Sequence, residues 1–145
     1  MRKKIVLLFI LVLMIVGCNN EKKNVYKGYS IEVDYCGEEN MINSDELFFD
    51  SFDEYDKYMF EMRVCGTESI HDKYDKKYFE DKSLAIVYVV TGSGGTRVVY
   101  KDYEILDNKI KINYEKKNSG GISTDDMHGF YVVVEVPKNI VGLVK

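Results

Sequence analysis

Ser93 and His128, with Asp125 or Asp126, are the residue types of a nucleophilic hydrolase site. The hydroxyl attacks a carbonyl, the imidazole takes its proton and the carboxylate orients the imidazole. That chemistry needs serine within hydrogen-bond reach of histidine and donors for an oxyanion beside it. Spacing along the chain does not enforce this. Ser93 lies in Thr91-Gly92-Ser93-Gly94-Gly95-Thr96, a glycine-rich turn between two β patterns. It is not the strained strand-to-helix elbow that exposes a nucleophile. A hairpin turn and a solvated loop over 116–128 therefore rank first, and a hydrolase using Ser93 and His128 ranks last. The same turn fails as a phosphate cradle, because a strand follows it where a helix N-terminus is needed. Asp125-Asp126-Met127-His128 and His71-Asp72 contain metal-ligand types. They lack both the further cysteine or histidine spacing of a zinc site and the oxygen ladder of a calcium site. No metal and no cofactor is expected.

The elements that must position these residues follow from periodicity. Tyr29, Ile31, Val33 and Tyr35 alternate with polar residues, which marks a half-buried strand. Leu47-Phe48-Phe49 is a short apolar run. Ser51-Phe52-Asp53-Glu54 has the form of a capping box, and Phe52, Tyr55, Met59 and Met62 follow at helical spacing. The pattern predicts a helix over about 52–64, stopped by Gly66, and one more helical turn between Tyr74 and Glu80. Leu84 to Val90 is apolar on both faces, as a central strand is. Arg97 to Leu106 and Lys109 to Glu115 flank a tight turn at Asp107-Asn108. Phe130, Val132, Val134 and Val136 form the inner face of a last strand ended by Pro137, with an edge segment over Ile140 to Val144.

The fold expected is α+β: one helix packed on a curled, mainly antiparallel sheet with a C-terminal four-stranded meander. In a meander the 92–95 turn and the 116–128 loop lie at one end. Gly92, Ser93, Gly94, Gly95 and Arg97 then neighbour Gly120, Gly121, Asp125, Asp126 and His128 as a candidate interaction region. Long loops in compact domains tend to carry function.

The N-terminus has the layout of a secretory signal. Arg2, Lys3 and Lys4 precede an unbroken apolar run from Ile5 to Val16, and the chain turns polar after Gly17-Cys18. A spanning helix needs about 20 residues to cross ~30 Å of hydrocarbon, more than this run supplies. Ile15-Val16-Gly17-Cys18 resembles the lipobox of bacterial lipoproteins. That resemblance implies cleavage before Cys18 and lipidation of its thiol, which holds the protein on the outer face of the cell membrane. Each buried methylene of an acyl chain adds ~0.8 kcal/mol, so two or three chains anchor stably. The expected organisation is a signal peptide over 1–17, the lipidated cysteine and a flexible tether over 18–27, and a single α+β domain over 28–145.

Removing that leader has two consequences. The formal charge of −4 includes three positive charges within residues 1–17, so the chain from Cys18 onward carries −7. An acidic surface argues against nucleic acid, whose binding needs basic patches. It also leaves Cys36 and Cys65 as the remaining cysteines, both just before a glycine. Outside the cytoplasm they are a candidate disulfide, with two free thiols as the alternative. Closing that loop stabilises by about 3 kcal/mol in the chain-entropy picture.

The stretches FDSFDEYDKYM at 49–59, YFEDKSLAIVYVVTGSGGTR at 78–97 and FYVVVEVPKN at 130–139 carry a second resemblance. They resemble the C-terminal domain of the PrcB protease-complex-subunit family and uncharacterised lipoproteins of low-GC Gram-positive bacteria. The resemblance implies a small α+β domain that binds or stabilises an envelope partner, such as a surface protease, without catalysis of its own. The expected function is thus a lipid-anchored binding or accessory protein. The alternative is a small ligand-binding lipoprotein with a tyrosine-lined pocket.

Overall fold

The computed structural model describes residues 27–33, 35, 37, 46–62, 66–92, 95–118, 120 and 126–144. The alternating N-terminal pattern forms β1 (Gly28–Val33), and Leu47–Phe49 forms β2. Helix α1 (Phe52–Glu61) begins as its capping pattern predicts. The Ser51 hydroxyl accepts the Glu54 N–H at 3.4 Å, and Asp53 and Glu54 sit in the first turn, where the helix dipole favours them. Two short helices follow, α2 (Glu68–His71) and α3 (Tyr78–Asp81). The remaining strands are β3 (Lys82–Thr91), β4 (Thr96–Leu106), β5 (Lys109–Asn118) and β6 (His128–Pro137). A 3-10 helix over Lys138–Leu143 stands where an edge segment was expected.

The strands do not make a curled sheet with a C-terminal four-stranded meander. They form two open antiparallel sheets, one ordered β1-β6-β3-β2 and the other the β4-β5 hairpin. The hairpin leaves the sheet, and β6 pairs directly with β3 from Lys82↔Pro137 to Thr91↔His128. The cause lies in β3 and β6 themselves. Leu84, Ile86, Tyr88, Tyr131 and Val133 face the helices, in a core with Tyr55, Met59, Ile70 and Phe79. Ala85, Val87, Val89, Phe130, Val132, Val134 and Val136 face the other way, onto Val98, Ile110 and Ile112 of the hairpin. Strands apolar on both faces need a cover on each. A meander would have left one of those faces to water; folding the hairpin across it buries both.

The hairpin is shaped for this role. Asp107 and Asn108 both take positive φ, 51° and 62°, as a two-residue hairpin turn of the primed kind requires. A bulge between Tyr100 and Asp102 shifts the register of β4. Val98 and Tyr100 before it, and Tyr103 and Ile105 after it, consequently all pack toward the sheet. Tyr100 lies against Gly28, where a Cβ would come within 2.4 Å of its ring.

The helical core is built on phenols. Burial, above all, holds the hydroxyls of Tyr55, Tyr74, Tyr78 and Tyr131 far above the ordinary tyrosine value. In the unfolded chain they ionise at about pH 10. Above that pH the unfolded chain releases protons that the folded chain keeps. The stability these groups contribute is therefore complete below about pH 10 and is lost as pH rises toward their folded values. In an alkaline titration, exposed tyrosines should ionise first, and the buried set should ionise only together with the loss of secondary structure. A single tyrosinate transition near pH 10 with the fold intact would contradict this packing. The absence of tryptophan leaves that absorbance signal unobscured.

Candidate functional site

Three distant segments meet at the end of the sheet where β1 stops and β6 begins, and leave an open groove of about 670 Å³. Glu32, Val33 and Tyr35 enter from the end of β1 and just beyond it. Gly66, Glu68 and Ser69 enter from the start of α2, and Asp126, Met127 and His128 from the approach to β6.

Each wall has a physical reason for its place. The β1 wall is fixed by pairing with β6, in which Val33 faces Gly129. A Cβ at Gly129 would meet the Tyr88 hydroxyl at 2.3 Å, so glycine lets that ring close under the strand. The α2 wall is tied back to α1. The Thr67 hydroxyl donates to Met59 O at 2.9 Å, and the Tyr55 hydroxyl donates to Ile70 O at 2.7 Å. His71 Nε2 meets Asp56 Oδ1 at 2.8 Å, and its ring stacks on Tyr55. Gly66 has φ +72°, a backbone state that suits glycine and turns the chain toward α2. The β6 wall is fixed by its first residue: His128 Nδ1 donates to Glu32 Oε1 at 2.7 Å.

That last contact revises the sequence-based chemistry. The carboxylate that orients His128 is Glu32, 96 residues away, and not Asp126. Nothing in the alternation of β1 marks Glu32 as a partner, because strand pairing alone brings it there. Ser69, the serine that lines the groove, donates its hydroxyl to Gly66 O at 2.9 Å within its own turn. Ser93, Gly94, Gly121 and Asp125 lie outside the described residues, as do Cys18, Cys36, Cys65 and the whole of 1–17. Tyr35 and Gly66, chain neighbours of Cys36 and Cys65, both line the groove.

Strand pairing fixes the ends of the strands that flank the other members of the expected interaction region. Thr91 pairs with His128, and Thr96 pairs with Asn118. Gly92 is exposed with open space where a Cβ would project, and Gly120 has φ +71°. Arg97 is exposed on the hairpin opposite Lys117. Among the described residues no group of three metal-ligating side chains is placed to hold an ion. Among them, too, no helix is long and apolar enough to cross a membrane.

Chemically, the groove offers, among the described residues, three carboxylates, one of them held by histidine, together with Val33, Tyr35 and Met127. No family model, no curated protein and no solved structure matches this chain.

Proposed function

We propose that the chain is a lipid-anchored, extracytoplasmic binding or accessory protein that meets an envelope partner through this groove. The observation that carries the reading is the groove itself: open, assembled from three segments, and lined by side chains suited to contact. The lipobox-like Ile15-Val16-Gly17-Cys18 supports the anchor, and the resemblance to the PrcB C-terminal domain favours a protein partner such as a surface protease. The small-ligand alternative has less support, because most of the tyrosines it needs for a pocket are spent in the core.

Two linked results test this. Cys18→Ser should abolish incorporation of an acyl label and release the chain from the membrane fraction; undiminished labelling removes the anchor. A partner recovered with the full-length protein from its own membranes should be lost with Met127→Trp, which fills the groove, and kept with Leu106→Trp at the far hairpin turn. Recovery unchanged by Met127→Trp removes the groove from the function.

A further inference from the structure

Among the described residues, several surface carboxylates pair with lysine: Glu61 with Lys57, Glu135 with Lys82, Glu104 with Lys111, and Glu115 with Lys101 and Lys117. Glu32, Glu68 and Asp126 line one groove, and among the described residues no lysine or arginine lines it with them. Among the described residues, only the His128 imidazole meets one of the three.

The groove also has an apolar component that an ordinary acidic surface lacks. Met127 is 47% exposed, against the burial usual for so large a hydrophobic side chain, and Val33 and Tyr35 lie with it. Long basic side chains match that combination. Their methylene stems cover apolar surface while the charged head reaches carboxylates, and a tyrosine face adds cation–π attraction. The volume of about 670 Å³ and the open mouth suit several residues of a chain passing through.

We propose that the groove takes an extended segment of a protein partner bearing lysine or arginine side chains. This rests on the groove being the contact surface, and it names the chemistry of what is contacted. Glu32, Glu68 and Asp126 receive the cationic heads, and Val33, Tyr35 and Met127 receive the stems. Because the heads stay near water, binding weakens as salt rises.

The test uses full-length protein in detergent micelles, with a dye-labelled octalysine peptide as probe and fluorescence anisotropy as readout. Octaglutamate and spermidine are the comparison ligands. Octalysine should bind, octaglutamate should not, and E32Q/E68Q/D126N should weaken octalysine by about tenfold, as three exposed pairs would. E61Q/E80Q/E104Q removes the same net charge elsewhere and should bind like the wild type. Thermal unfolding of both triple variants separates lost binding from lost structure. If both triple variants weaken binding equally, general charge attraction is the cause and the proposal fails. Spermidine binding as tightly as octalysine replaces a peptide segment with a small polycation and also overturns it. If octalysine is ignored while Met127→Trp still abolishes partner recovery, the cationic class is wrong and the binding role stands.

Discussion

Tyr55→Ala should lower the stability of the fold by about 3–5 kcal/mol, the range for removing a large aromatic side chain from a core. Tyr55 is fully buried. Its ring lies 5.8 Å from Phe49, 5.4 Å from Phe79 and 6.0 Å from Tyr74, edge-on or tilted to each. Its hydroxyl donates to Ile70 O, and the His71 ring stacks on it. One residue thus joins α1, α2 and the segment leading to α3. Total stabilities of small domains are about 5–15 kcal/mol, so this single change removes a large share. Tyr55→Phe isolates the hydrogen bond: the ring stays, Ile70 O loses the phenol but keeps the Lys73 N–H, and the cost should be about 0.5–1.5 kcal/mol. Urea unfolding of the three proteins measures both differences. A Tyr55→Ala protein as stable as the wild type would contradict the packing of α2 on α1, and with it the placement of Glu68 and Ser69 in the groove.

The second large effect separates the two-sheet fold from a meander. Val132 and Val133 are adjacent in β6 and fully buried, one facing the hairpin and the other facing the helices. Val132→Asp and Val133→Asp should each unfold the protein, since an unpaired charge in either core costs several kcal/mol. A sheet covered on one face only would tolerate one of the two. The milder Val132→Thr and Val133→Thr keep the shape and add a hydroxyl, giving a graded loss of roughly 1–3 kcal/mol where the aspartates leave nothing folded to measure. Comparable losses at the two positions, read by thermal unfolding, fit the hairpin as a second cover. A neutral Val132→Thr would place that face in water.

The local elements were largely readable because they depend on near neighbours in the chain. Ser51 and Glu54 announce the start of α1, Asp107-Asn108 announces the hairpin turn, and the alternation from Tyr29 to Val33 announces β1. Strand order was not readable in this way. Consecutive strands usually pair, so β3, β4, β5 and β6 suggested a meander. The contrary signal was present in the apolar faces of Leu84–Val90 and Tyr131–Val136, which a one-sided sheet cannot bury. The groove was hardest to foresee. Asp126 and His128 stood among the candidate residues, but Glu32, Glu68 and Ser69 carry no local motif. They become a site only through the β1–β6 register and the ties between α1 and α2. Serine and histidine drew attention to the glycine loops, whereas the contact His128 makes is with the neighbouring strand.

The binding role is tested most directly by position. Met127 at the groove and Leu106 at the far end of the hairpin are equally exposed, each at 47%. They differ in place: Leu106 is ten residues up β4 from Thr96, roughly 30 Å of strand. A photo-reactive residue at each site in turn, in the full-length protein within its own membrane, compares the two surfaces at matched accessibility. A discrete cross-linked partner from Met127 and none from Leu106 is the predicted result; equal adducts from both, or adducts from Leu106 alone, would contradict a groove-centred function.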